Sequence, residues 1–157
     1  LHSVRLSVRD PGPTRALLTG LLGFVVTDAA EGVLHFAVNG DLPGRRIELV
    51  HGASGPAGLN GLGTVHHVAL AIAEPEEQLL LRRELVNAGL AVTEVLDRQY
   101  FRSIYFREPG GVLLEVATLG PGFTADETLS ELGQSLKLPP WEEPNREEIE
   151  QRLPAIA

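Results

Sequence analysis

VHHVALAI at residues 65–72 and VLLEVA at 112–117 decide the fold, because each has a counterpart earlier in the chain. LHSVRLSV at 1–8 matches the first and IELV at 47–50 the second, while LGF at 22–24 falls where AGL stands at 88–90. The offset grows from 64 (His2 to His66) through 66 (Gly23 to Gly89) to 67 (Glu48 to Glu115), a drift that small insertions explain. Self-similarity at a fixed spacing is the mark of a duplicated structural unit.

The second copy gives the order of elements. Strand 65–72 leads to Pro75, which suits the first turn of a helix, and Glu76 and Glu77 suit the positive end of its dipole. Leu79, Leu80, Leu81, Leu85 and Val86 form an apolar stripe, and Gly89 stops the helix. Three β-rich segments follow, VTEVL at 92–96, YFRSIYF at 100–106 and VLLEVA at 112–117, with turn chemistry at 107–111. The unit reads β-α-β-β-β. The first copy repeats it: strand 1–8, helix about 13–22, then FVVT, VLHFAV and RRIELV, with a turn at 40–44. The expectation is an α+β protein with tandem units at 1–50 and 65–117. They form a curved, cup-like mixed sheet with helices outside, joined by a flexible glycine-rich connector at 51–64. Residues 118–157 form an acidic, proline-rich tail with a helix expected at 145–153. Trp141 is its expected anchor on the body or on a neighbouring subunit.

Composition narrows the function. The chain has 157 residues, 43% hydrophobic and 22% charged, which is the make-up of one globular domain of ordinary size. No apolar run approaches the roughly 20 residues a membrane span needs, and the chain opens on an alternating segment instead of a basic stretch followed by an apolar one. A cytoplasmic protein is expected. The net charge of −8, most of it in the tail, argues against a nucleic-acid binder. Without cysteine, any metal must be held by imidazole and carboxylate. No glycine-rich phosphate loop or nucleophile elbow is present.

Side chains alternate along a strand, so His67, Ala69 and Ala71 should face one way and His66, Val68, Leu70 and Ile72 the other. Two alanines leave open volume before the His67 imidazole. Glu115 shares a face with Leu113 and Ala117, and a glutamate in so apolar a strand is costly unless it pairs or binds a metal. His67 and Glu115 lie at the two ends of one unit, whose first and last strands can be neighbours. A single strand histidine is more often a core residue, and a strand glutamate more often sits at an edge; the case rests on the pair.

These residues resemble a family. The tandem unit, HHVALAI with the glutamate of LLEVA, and the run DRQYFRSIYFREPGGVLLEVATLGPGFTADE at 97–127 resemble the vicinal oxygen chelate superfamily of glyoxalases, antibiotic-resistance proteins and extradiol dioxygenases. The long run and LPPW at 138–141 resemble the hydroquinone-type ring-cleaving dioxygenases in particular, in the C-terminal half of a four-unit chain. The resemblance implies Fe(II), or another divalent metal such as Mn or Zn, held by two histidines and a glutamate with positions left for an aromatic diol and dioxygen. His67 and Glu115 match two of those ligands. Arg98 and Tyr105 match groups near substrate and oxygen. Tyr105 could equally be an ordinary strand aromatic, and Arg98 a turn residue paired with Asp97.

A third ligand is missing from the pattern. The repeat puts Ser3, a poor iron ligand, where His67 stands; His2 is one position off, and His35 and His51 lack support from the pattern. The chain also has no methionine with which to start. The expectation is the C-terminal half of a longer enzyme, or a chain completed by a partner subunit, with homo-oligomers possible. Two other readings stay open: a glyoxalase-like metal-dependent isomerase or lyase, and a metal-free protein that binds an aromatic compound.

Overall fold

The computed structural model describes residues 1–52 and 61–154; most of the 51–64 connector, residues 53–60, lies outside the described residues. The elements run β1 (Ser3–Val8), α1 (Pro11–Gly20), β2 (Val25–Ala30), β3 (Val33–Ala37) and β4 (Arg46–His51), then β5 (Val68–Ile72), α2 (Pro75–Asn87), β6 (Leu96–Asp97), β7 (Arg102–Arg107) and β8 (Leu113–Thr118), and α3 (Arg146–Arg152) in the tail. They build two mixed four-stranded sheets, ordered β1-β4-β3-β2 and β5-β8-β7-β6. In each, the first strand lies parallel to the last, and the others pair antiparallel. The expected α+β class and duplicated β-α-β-β-β order are what the chain adopts.

Local chemistry sets the element boundaries. The Asp10 carboxylate accepts the Gly12 N–H at 2.9 Å with Pro11 in the first turn, so α1 starts two residues before the expected position and ends at Gly20. Both α1 and α2 are followed by a left-handed glycine, Gly23 at φ 72° and Gly89 at φ 88°. Beside them the Leu22 and Leu90 N–H groups reach back to Leu17 and Leu85 carbonyls at 3.2 and 3.1 Å, closing the helix ends. The repeat seen in the sequence is thus a repeat in backbone conformation.

Three expectations are corrected. VTEVL forms no full strand: Val92 makes an isolated bridge to Phe106, and β6 is only two residues long. On α2, Leu79, Leu80 and Val86 are about half exposed, and the buried face is set by Gln78 and Leu85 with Leu81 between them. Helical spacing of 78, 81 and 85 fits one face better than the leucine run did, but a glutamine was not the residue to suggest it. The Gln78 Nε2 donates to the Arg102 and Val116 carbonyls at 2.9 and 2.8 Å, satisfying its buried amide. Trp141, the expected anchor, is 54% exposed on this chain. The tail is tied down elsewhere: Asp126 Oδ2 accepts from Gln99 Nε2 at 2.9 Å and from the Tyr100 hydroxyl at 3.0 Å, and Phe123 packs on Tyr100.

The two sheets share a core. Leu22, Val68, Leu70 and Val112 pack against both apolar clusters, and Leu17 of α1 is buried among Leu85, Ile104, Phe106, Leu114 and Val116. Each such fully buried side chain contributes roughly 1.5–3 kcal/mol. The β7–β8 turn abuts β1 so closely that a Cβ on Gly110 would lie 2.3 Å from Val8 Cγ1. Beside it the buried Glu108 carboxylate accepts from Thr14 Oγ1 at 2.6 Å and from the Gly110 and Val112 N–H groups at 2.8 Å. Among the described residues, no helix is long and apolar enough to cross a membrane.

Candidate functional site

Strand β8 lies inside the second sheet, between β5 and β7, so its side chains are covered from both sides. Glu115 stands opposite Ala69 on β5 and Tyr105 on β7, and is 4% exposed. A carboxylate so placed needs compensation on both oxygens. Ser103 and Tyr105 share one face of β7 by strand alternation. Both hydroxyls donate to Glu115 Oε1, the phenol at 2.6 Å. Oε2 lies 2.7 Å from His67 Nε2. Burial and the Glu115 hydrogen bond push the Tyr105 phenol above its ordinary value, so it carries its proton throughout the neutral range.

His67 precedes the strand instead of sitting in it. β5 begins at Val68, not at residue 65, so the alternation that placed His66 on the opposite face does not extend to the two histidines. Their Nδ1 atoms approach to 2.9 Å and the rings meet edge to face, centroids 5.2 Å apart. One Nδ1 must carry a proton and the other must accept it. In the chain as it stands the His67 Nε2–H donates to the Glu115 carboxylate; were Nε2 to bind a metal instead, the proton would sit on Nδ1 with His66 as its acceptor, the arrangement by which a neighbouring acceptor fixes a ligand's tautomer. The Tyr105 ring stands edge-on to His67, with centroids 5.7 Å apart.

Arg98 reaches the same place from the β6–β7 loop. Its guanidinium carbon lies 5.5 Å from the Tyr105 ring centroid, within cation–π range. Asp97 accepts the Gln99 N–H at 2.8 Å, so the ordinary reading of Arg98 as its turn partner does not describe this loop. Gln99 takes φ 67°, and its side chain is gripped by Asp126 of the tail. The fold therefore brings His67, Glu115, Tyr105 and Arg98 together, with His66 and Ser103 beside them. Ser103 is the member that residue-by-residue reading passed over; its place on the Tyr105 face was the available signal.

The four other candidates for a metal all lie in the first sheet or at its start. Ser3 Oγ donates to Glu48 Oε1 at 3.1 Å, His2 Nε2 lies 3.2 Å from Arg46 Nη1, His35 stands opposite Glu48, and His51 ends β4. A cleft of about 340 Å³ beside this sheet is lined by His2, His35, Asp41, Arg46 and Glu48. Its charges are engaged with one another: Arg5 contacts Glu48 at 2.7 Å and Arg46 contacts Asp41 at 2.6 Å. The Arg5 and Ser3 hydrogen bonds hold Glu48 below the ordinary carboxylate range. Among the described residues, no three histidine, aspartate or glutamate side chains gather as a metal cluster. The His67–Glu115 pair, an imidazole nitrogen and a carboxylate oxygen 2.7 Å apart, is a donor set that suits a divalent first-row metal.

Comparison with known proteins agrees with this architecture. Residues 1–116 match the model of the Glyoxalase/Bleomycin resistance protein/Dioxygenase superfamily. A Bacillus subtilis protein named "Putative ring-cleaving dioxygenase MhqE" is 40% identical over 156 residues, 99% of this chain and 50% of its own. The chlorohydroquinone/hydroquinone 1,2-dioxygenase of Sphingobium indicum is 41% identical over 92 residues, 57% of this chain and 28% of its own. A crystal structure titled as a putative dioxygenase from Bacillus subtilis superposes with a TM-score of 0.89 at 38% identity, covering 98% of this chain and 49% of that one. The chain thus spans about half the length of the relatives it matches most fully. On the duplicated fold and this family match, the chain belongs to the Glyoxalase/Bleomycin resistance protein/Dioxygenase superfamily.

Proposed function

We propose that this chain carries the substrate end of a ring-cleaving dioxygenase that opens an aromatic diol, a hydroquinone in the first instance, with dioxygen. His67 and Glu115 hold a divalent metal, ferrous iron by preference, and a third ligand comes from outside the described residues, either from a preceding half or from a partner subunit. The single observation that carries the reading is the buried Glu115 carboxylate, whose one oxygen is turned to the His67 imidazole at 2.7 Å and whose other is held by protein hydroxyls. The relatives' names and their greater length support it.

When bound, the iron supplies open coordination positions and the one-electron chemistry that lets triplet dioxygen react with a closed-shell diol. The chain's own residues do the rest. His67 presents Nε2 while His66 holds its tautomer. Tyr105, protonated at neutral pH, donates a hydrogen bond to a substrate oxygen and can pass it a proton as the ring opens. Arg98 holds a permanent positive charge at the Tyr105 ring, which favours a diol ionised at that edge. Both oxygen atoms enter the ring-opened product.

Anaerobic ferrous titration followed by oxygen uptake with hydroquinone tests this. Glu115→Gln should weaken iron binding by about a hundredfold or more, above the ~10–100-fold typical of outer partners, and abolish uptake. Unchanged affinity and uptake would remove Glu115 from the metal. Tight diol binding without any metal would point to a sequestering protein instead.

A further inference from the structure

Two hydroxyls hold the same oxygen of Glu115, yet they are not placed alike. Ser103 is fully buried, with 0% exposure, while Tyr105 is only half-buried and borders His67 and Arg98. On β7, between β6 and β8, Ser103 gives its hydroxyl proton to Glu115 Oε1. The phenol can turn outward; the serine hydroxyl cannot. The first sheet supplies a contrast within the same chain. By strand register, Val33 of β3 occupies the place of Ser103, two residues from the partner of the sheet's glutamate, and has no hydroxyl to give. There Arg5 holds Oε2 of the glutamate, and the hydroxyl on Oε1 comes from Ser3 on the opposite neighbouring strand.

We propose that Ser103 is a positioning residue that holds Oε1 of Glu115 at all times, so that the carboxylate offers the metal one oxygen, Oε2, and keeps that pose when Tyr105 leaves Oε1 for the substrate. This rests on the metal-site reading given above. For Oε1 to join the metal as well, the carboxylate would have to swing away from Ser103 and stretch the bond to a buried serine that cannot follow, and a buried donor left without a partner costs about 1–3 kcal/mol. The serine therefore limits the number of coordination positions the protein takes and frees one for substrate or dioxygen. Tyr105 alone could not do this, since its proton is the one the reaction has a use for.

The test uses Co(II) as the probe, with the 157-residue chain and its Ser103→Ala, Ser103→Thr, Tyr105→Phe and Glu115→Gln variants. Ser103→Ala should weaken Co(II) binding by about tenfold, in the range found for outer partners of metal ligands. It should also change the intensity of the visible Co(II) bands, which follow coordination number, because Oε1 becomes free to coordinate. Ser103→Thr, which keeps the hydroxyl, should restore both. Tyr105→Phe should leave the bands as in the parent chain, since Ser103 remains. Parent-like affinity and bands in Ser103→Ala would overturn the proposal, and so would a band change in Tyr105→Phe equal to that of Ser103→Ala. If instead Glu115→Gln binds Co(II) as well as the parent, the metal-site reading itself falls. Should Ser103→Ala fail to fold, Ser103→Cys decides: a thiol is a weak donor, so altered bands support the proposal and parent-like bands overturn it.

Discussion

The two sheets have the same topology and the same glutamate, and they use it in opposite ways. In the first, Glu48 faces Arg5 across the parallel pair and His35 across the antiparallel one; in the second, Glu115 faces Ala69 and Tyr105. Arg5 closes on Glu48 through both Nε and Nη2 at 2.7 Å, so the carboxylate's counter-charge is built into the chain. Among the described residues no arginine or lysine forms an ion pair with Glu115; hydroxyls take one oxygen and an imidazole the other. Ser3 stands two residues before Arg5, as His67 stands two residues before Ala69, the β5 partner of Glu115. What the difference teaches is that a duplicated fold keeps its backbone while four side-chain exchanges, at the places of His67, Ala69, Ser103 and Tyr105, decide whether its glutamate is closed by a guanidinium or held by hydroxyls and an imidazole, as the proposed metal site requires.

The sharpest way to break that comparison is to give the second sheet the first sheet's arginine. Ala69→Arg alters no proposed ligand and no residue of the core, since Ala69 is exposed. The new guanidinium should pair with Glu115 as Arg5 pairs with Glu48, and divalent-metal affinity should fall by about a hundredfold, equivalent to ~2.7 kcal/mol. Isothermal titration with Co(II) reads this. Unaltered affinity would mean that the arginine in the first sheet is not what distinguishes the two carboxylates.

How far the site could be seen in the sequence follows from the kind of contact each residue makes. His67 and Glu115 are legible because the repeat puts them at the two ends of one unit whose first and last strands are neighbours; Tyr105 is legible as a site residue through resemblance. Arg98 was legible only through resemblance, because it sits in a loop whose path depends on a left-handed Gln99 and on Asp126, 27 residues further on. Ser103 and Gln78 went unread for one reason: each is a polar residue made acceptable in the core by a partner 12 to 38 residues away, and hydropathy alone marks such residues as surface. The extent of β5 was overread because HHVALAI alternates in sequence for longer than the strand does in space. Trp141 suggests burial by its size, yet it is half-exposed on this chain, and on the body the tail is held by polar contacts near its start.

A smaller effect concerns how the sheets are joined. Thr14 of α1 donates to Glu108 beyond β7, the one hydrogen bond by which that buried carboxylate is tied to the first sheet's helix among the described residues. Thr14→Val keeps the shape and removes the donor, while the Gly110 and Val112 N–H groups remain. The expected loss is about 1.5–2 kcal/mol in urea unfolding, at the lower end of the range for a hydrogen bond to a charged group. Co(II) binding at the second sheet should be unaltered, because neither residue touches Glu115. A loss of metal affinity along with stability would show that the two sheets are coupled through this carboxylate.

The smallest effect is at Glu48, and its sign distinguishes the closed glutamate from an ordinary one. The Arg5 and Ser3 hydrogen bonds lower its pKa below the unfolded value of 4.5, so the native state binds this proton less readily than the unfolded chain. The stabilisation is fully present above pH 4.5 and is lost as the pH falls through the lower native value; neutral and alkaline conditions leave it untouched. Carboxyl NMR titration should find Glu48 below 4.5 in the parent chain and moved upward in Arg5→Ala. With the guanidinium gone, acid unfolding should then lose part of its dependence on pH in that window. An unmoved Glu48 in Arg5→Ala would mean that Ser3 and the backbone, not the arginine, hold the charge, and the first sheet's glutamate would then be as open to a cation as the second's.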